Sequence, residues 1–201
     1  MREERKGMLV VISGPSGTGK GTICARLLRE DKSLVFSVSA TTRYRRENEI
    51  DGVHYHFMSE ERYDELLAQD AFLEHATVHG NRYGTLRSEV DQRLNQGLNV
   101  LLDIDTQGAL NVMAQAPDCV SVFILPPSLE TLHQRLLGRH TEKPEEVARR
   151  MNNARGEMAL VKRYRYAIVN DDLEVAYGQL RAVVQAEKLR TCRCVPDMAE
   201  T

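Results

Sequence analysis

Residues 9 to 22 constrain this chain more than any other stretch. Leu9-Val-Val-Ile12 is a short apolar run, long enough for a buried strand and too short for a helix of its own. It leads into Gly14-Pro-Ser-Gly-Thr-Gly-Lys20-Gly-Thr22, and a helical period follows from about Lys20 to Glu30. A strand that turns through Gly14, Gly17 and Gly19 into a helix takes backbone angles that a side chain would resist. Successive N–H groups then face inward, and the first turn of the helix adds its positive end. The stretch therefore reads as a phosphate cradle made of Gly14, Pro15, Ser16, Gly17, Thr18, Gly19, Lys20, Gly21 and Thr22, with Lys20 reaching β- and γ-phosphates. A glycine-rich surface turn with a solvated lysine is the plain alternative, and the flanking strand and helix argue against it. One departure matters. The usual motif has Ser or Thr directly after the lysine, as a magnesium ligand, and here Gly21 stands there with Thr22 next. Mg²⁺ is therefore expected to be held mainly through nucleotide phosphates and water, with Thr22 or Asp103 as outer contacts.

Further along, apolar strand-length runs alternate with helical periods. Strands are expected at Leu34–Val38, Tyr55–Phe57, Phe72–Val78, Asn99–Asp105, Val120–Leu125 and Ala167–Val169. Helices are expected near 59–69, 86–96, 107–116 and 128–137, then as a long pattern reaching Val161, and last at 173–189. Ser59 is placed as an N-cap, Gly97 as a helix stop, and Asp171 or Asp172 as the cap of the last helix. His79 to Gly84 reads as a turn. Alternating strands and helices predict an α/β fold with a parallel sheet covered by helices on both faces. Residues 39–87 break that rhythm and read as a small inserted lobe.

Composition narrows the classes. A chain of 201 residues, 42% hydrophobic and 28% charged, can build one ordinary domain with an insertion, which argues against disorder. It has no apolar run of the ~20 residues that a membrane span needs, and its charged start shows no cleavage signal; a soluble, cytoplasmic protein is expected. A net charge of −2 gives no general pull toward nucleic acid or membrane. Cys24, Cys119, Cys192 and Cys194, with His54/His56 and His75/His79, lack the spacing of a zinc site or a redox pair.

Asp103 and Asp105 close an apolar strand, and period two puts both on one face, at the end where open α/β sheets bind ligands. Arginines gather at Arg43, Arg45 and Arg46, and again at Arg135, Arg139, Arg149, Arg150 and Arg155. Together with Ser37-Val-Ser-Ala-Thr-Thr-Arg43, Gly52-Val-His-Tyr-His-Phe57, Phe72-Leu-Glu-His-Ala76, Gly80-Asn-Arg-Tyr-Gly84, Leu102-Asp-Ile-Asp105, Pro126-Pro-Ser128 and Val169-Asn-Asp-Asp172, the chain resembles the guanylate kinases from the phosphate cradle to about Leu189. That resemblance implies a P-loop NTPase core (7–38, 88–125 and 160–190), a mixed α+β GMP-binding lobe (39–87) and a short helical lid (126–159). It implies transfer of the ATP γ-phosphoryl group to GMP, and to dGMP, with ATP and Mg²⁺ as donor and cofactor and no nucleic-acid or membrane partner. It leaves a homo-oligomer open.

By resemblance, Arg43, Arg46, Tyr55 and Tyr83 hold the GMP phosphate, and Ser39, Glu74, Thr85 and Asp105 surround the guanine. Asp103 belongs to the same substrate crevice. Arg135, Arg139 and Arg150 reach the ATP phosphates, Asn170 lies near the adenine, and Lys20, Arg43, Arg139 and Arg150 stabilise the transferring charge. The chemistry agrees independently. Guanine presents N1–H and N2–H₂ donors and an O6 acceptor, so carboxylates with a hydroxyl suit it, whereas AMP would leave them unpaired at about 1–3 kcal/mol each. No strong general base is needed, since the nucleophile is a phosphate oxyanion. Excluding water then requires closure of the lobe and lid.

Arg45, Asn48 and Arg82 depart from the family pattern and suggest a more basic, looser phosphate loop. Three other readings remain. A ribose bisphosphate kinase shares the cradle but would lack Glu74 and the Asp103/Asp105 pair. A non-catalytic guanylate-kinase-like module would carry a degraded loop. A P-loop GTPase is weaker still, for want of an Asn-Lys-x-Asp element.

Overall fold

The structure is a computed structural model that describes residues 7–78, 80–138 and 144–193. His79, Arg139 and Cys194, singled out above, lie outside these residues, as does most of the Gly138–Pro144 connection. The elements follow in order as β1 (Leu9–Ser13), α1 (Lys20–Glu30), β2 (Leu34–Phe36), β3 (Ala40–Thr41) and β4 (His56–Phe57). Then come α2 (Glu60–Ala68), β5 (Phe72–Val78), β6 (Asn81–Leu86), α3 (Arg87–Asn95), β7 (Asn99–Asp103) and α4 (Thr106–Gln115). The chain continues with β8 (Val120–Leu125), α5 (Leu129–Leu137), α6 (Pro144–Met158), β9 (Tyr166–Val169) and α7 (Leu173–Lys188).

β1 explains the main sheet. It is buried along its whole length, and period two sends Val10 and Ile12 into one core with α1 and α7, and Leu9 and Val11 into another with α3 and α4. A strand apolar on both faces belongs at the centre of a covered parallel sheet. β1 sits there, in the order β2-β7-β1-β8-β9, with every pairing parallel. Each fully buried Val or Ile contributes about 1.5–3 kcal/mol. The carboxyl ends of β1, β7, β8 and β9 thus open onto one crevice.

The second sheet, β4-β3-β6-β5, is mixed and has its own core of Ala40, Tyr63 and Phe72 beneath α2. Here the structure corrects the sequence reading. Asn81–Leu86 is a strand rather than part of a turn, and Ala40–Thr41 forms a further short strand. Both sequences are too polar or too short to show an alternating pattern; cross-strand pairing to β5 and β6 supplies their order. Gly84 is required at its place, since a Cβ there would lie 2.6 Å from the Phe72 ring.

The caps follow the chemistry. Ser59 Oγ accepts from Arg62 N and starts α2, and Asp172 rather than Asp171 caps α7 by accepting from Glu174 N and Val175 N. Gly97, with φ 77°, ends α3. α6 stops at Met158, short of the expected Val161, and a 3-10 turn follows at Val161–Arg163. Among the described residues no helix is long and apolar enough to cross a membrane.

Candidate active site

The cradle is built on backbone angles that only glycine takes readily. Gly14, Gly17 and Gly19 have φ of 137°, 89° and 85°. A Cβ on Gly14 would lie 2.2 Å from the Ile124 carbonyl of β8, and one on Gly19 would lie 2.5 Å from Asn170 Nδ2. The loop is clamped from behind by that asparagine: Asn170 Nδ2 donates to Thr18 O at 2.7 Å, and Arg135 Nη1 donates to Asn170 O at 2.9 Å. Resemblance placed Asn170 by the adenine; in the structure its amide supports the loop. Lys20 Nζ donates to Gly14 O and Pro15 O at 2.5 and 3.0 Å, across the mouth of the loop. α1 is capped by Gly19 with no side-chain cap bond and has no acid in its first turn, so its N-terminal field is left for an anion. Pro15 and Thr18 brace the loop internally, through Thr18 Oγ1 donating to Pro15 O. Gly21 and Thr22 are exposed on the first turn of α1.

From the far side, α6 brings Arg150 to Ser16, with Nη1 3.3 Å from Oγ. α5 and α6 share a small core of Leu132, Leu136, Val147 and Ala154, and Gly17 lies against Leu132 and Leu136. Glu157, on the same helix, was not foreseen. Burial pushes its carboxyl up, with Lys20 opposing and Asp105 adding, so it lies within electrostatic reach of both of those side chains.

Two further groups of side chains stand on the second sheet. Glu74 on β5 pairs in register with Thr85 on β6, and Thr85 Oγ1 donates to Glu74 Oε1 at 2.6 Å. Both are buried. Burial pushes the Glu74 carboxyl up to about 7, with the Asp105 charge adding and the Thr85 hydrogen bonds opposing. Asp105 is the N-cap of α4, its Oδ1 accepting from Gly108 N at 2.7 Å. That corrects the sequence reading, because β7 ends at Asp103 and Asp105 has left the strand. Gly108 is what lets Glu74 approach, since a Cβ there would lie 2.5 Å from Glu74 Oε2. A glycine inside the first turn of a helix is the sequence feature that marks this close approach. Ser39 is half-buried just before β3; continuing the Ala40–Gly84 register one step sets it opposite Thr85.

Tyr83 is two residues before Thr85 on β6, on the same face and about 7 Å along the strand. Its ring meets Tyr55 edge-on at 5.9 Å, and the Arg43 guanidinium lies 5.4 Å over Tyr55. Arg43 Nη2 donates to Glu49 Oε1 at 2.7 Å, and the Arg46 backbone N donates to Glu49 Oε2 at 2.8 Å. Burial pushes the Tyr55 hydroxyl up, the Tyr83, Glu49 and Asp103 charges add, and Arg43 opposes. Burial also raises the Asp103 carboxyl, against Lys20. Asp103 therefore lies within electrostatic reach of both Lys20 and Tyr55. Arg82 does not join the phosphate loop. It reaches Asp64 and Glu60 of α2 at 2.5 and 3.3 Å and lies over the Tyr63 ring, so the extra basicity expected of it is neutralised elsewhere.

A glycine-built phosphate cradle at the carboxyl end of a parallel sheet, with a second group of buried carboxylate, hydroxyl and arginine on the adjoining sheet, defines a P-loop kinase that acts on a nucleotide. The comparisons name the family. A sequence model of the family Guanylate kinase matches residues 6–187. A guanylate kinase of Clostridium perfringens is 48% identical over 201 residues, which is 100% of this chain and 93% of that protein. One of Symbiobacterium thermophilum is 50% identical over 201 residues, covering 100% of this chain and 95% of that protein. The crystal structure of guanylate kinase from Anaplasma phagocytophilum superposes with a TM-score of 0.76 at 34% identity, covering 94% of this chain and 90% of that one. The chain belongs to the guanylate kinase family, the phosphotransferases that move a phosphoryl group from ATP to GMP.

Proposed function

We propose that this ATP:GMP phosphotransferase divides its work between the cradle and the second sheet, and that Glu74 reads the acceptor base. The observation that carries the reading is the buried Glu74–Thr85 pair beside Asp105. Guanine N1–H and N2–H₂ meet the Glu74 and Asp105 oxygens, and Thr85 and Ser39 hydroxyls face the rest of the ring. AMP presents no N1–H and leaves a buried carboxylate unpaired.

Arg43 and Arg46, with the Tyr55 and Tyr83 hydroxyls, take the GMP phosphate; an arginine fork suits two oxygens at once. The loop 14–19 and Lys20 take the donor's β- and γ-phosphates. Arg135 and Arg150, from α5 and α6, and Arg139 from the lid neutralise the charge that spreads over the transferring group. Asn170 holds the loop in shape from behind, beside the adenine end. Asp103 and Thr22 are suited to a divalent ion's hydration shell, Asp103 because it is a partly desolvated carboxylate within electrostatic reach of Lys20 at the carboxyl end of β7. They would hold Mg²⁺ through water, and when bound it neutralises phosphate charge. Residues 39–87 and 126–159 close over the substrates and keep water from the donor phosphate. We place the chain in the cytoplasm.

ADP release with ATP, Mg²⁺ and GMP, AMP, CMP, UMP or no acceptor tests this reading. ADP formed with GMP or dGMP alone, in step with the diphosphate, is expected. Turnover with AMP at a comparable kcat/KM would remove the Glu74 assignment. ADP formed equally without acceptor would show that water reaches the donor.

A further inference from the structure

We infer that Glu49 is a positioning residue for the acceptor phosphate: its two oxygens tie the Arg43 side chain to the Arg46 backbone and preassemble the phosphate seat. This rests on the reading of Arg43 and Arg46 given above.

Arg43, Arg45 and Arg46 place three positive charges within four positions of one loop. Left alone they repel, and a long guanidinium stem has many solvent-facing rotamers. Glu49 answers both problems. Oε1 accepts from Arg43 Nη2 at 2.7 Å, and Oε2 accepts from Arg46 N at 2.8 Å. The pair is well covered, the Arg43 and Glu49 side chains being 16% and 15% exposed. The turn that carries Glu49 is closed by its own N–H donating to Arg46 O at 3.1 Å, and Ile50 N donates to His54 Nδ1 at 3.0 Å. Arg43 is fixed further by donating from Nη1 to Tyr44 O at 2.8 Å and by lying over the Tyr55 and Phe57 rings. Of the five guanidinium N–H donors, these two bonds leave others for a phosphate. The hydrogen bonds from Arg43 and Arg46 hold the Glu49 carboxyl down to about 2, so the tie stays ionised at any working pH. A seat whose ordering is done before the ligand arrives binds more tightly.

The test measures GMP and ATP KM, kcat, and inhibition by guanosine, which carries the base without the phosphate, for Glu49→Ala, Glu49→Gln, Arg43→Ala and the double variant Arg43→Ala/Glu49→Ala. Glu49→Ala is expected to raise the GMP KM about tenfold or more, as loss of a hydrogen bond to a charged group does. Its ATP KM and guanosine inhibition stay at the parent values. Glu49→Gln, which keeps one acceptor, lies between. In the Arg43→Ala background the alanine at 49 adds much less than it does alone. Guanosine inhibition weakened in parallel with GMP would make the effect one of general lobe structure and overturn the proposal. An unchanged or lowered GMP KM in Glu49→Ala, with Arg43→Ala still impaired, would also overturn it, Glu49 then being a competitor for the seat. An unchanged GMP KM in Arg43→Ala would instead overturn the phosphate reading of Arg43, and the proposal with it.

Discussion

The two halves of the crevice are built by different means. The cradle is local: residues 14–22 are contiguous, and their shape comes from glycine dihedrals, one strand end and one helix start. The side that we assign to the acceptor is assembled across distance. Glu74 and Thr85 meet through β5–β6 register, Asp105 joins from the cap of α4, and Arg43 is held by Glu49 on a loop. Phosphate is recognised by N–H groups that any sequence carries once the backbone bends. A base is recognised by side chains that only a fold can bring together. The two halves should therefore fail differently when perturbed.

The largest expected effect is on the cradle. Lys20→Ala should lower kcat by at least about 10²-fold, the scale of removing one preorganised donor from a developing charge. GMP binding, measured by calorimetry, should stay near the parent value; a large loss of GMP affinity would show that the two halves are not separable. Next comes Arg43→Ala, expected to raise the GMP KM by roughly 10- to 100-fold while leaving the ATP KM alone.

Glu74 sharpens the comparison through pH. Its carboxyl is raised from 4.5 to about 7, chiefly by burial, and on the reading proposed above guanine donors favour the ionised form. GMP binding must then release a proton below pH 7. The GMP KM should rise as pH falls from about 7, by up to tenfold per unit, while the ATP KM stays flat. Glu74→Gln should weaken GMP binding at neutral pH and abolish that slope; a slope that survives the substitution belongs to another group. The same shift has a sign in stability. The folded state holds the Glu74 proton more tightly than the unfolded chain, so this group's contribution is full below pH 4.5 and is lost as pH rises through about 7.

The smallest effect tests the far face of the lobe. Arg82→Ala removes an ion pair to Asp64 and the contact over Tyr63, and should cost about 1 kcal/mol, seen as a few degrees in Tm. GMP kinetics should not change. A raised GMP KM would mean that the lobe transmits disorder on its α2 side to the phosphate seat.

Sequence alone determined the cradle, the central strands and the helices, because those signals are periodic or contiguous: β1 is apolar at every position, and three glycines bracket a helix start. It also carried the residue types of the acceptor side, through the resemblance. It did not show that Asn81–Leu86 is a strand, since Gly84 and the polar residues around it carry no alternation and their order comes from Phe72 and β5. Nor did it show Glu49 between Arg43 and Arg46, Asn170 behind Thr18, Arg82 on α2, or Gly108 making room for Glu74. Those are pairings of groups on different elements, or on opposite sides of a turn. Nothing in a local pattern fixes which charge a free arginine will meet. The tertiary structure decides it, because only burial makes one partner much better than water.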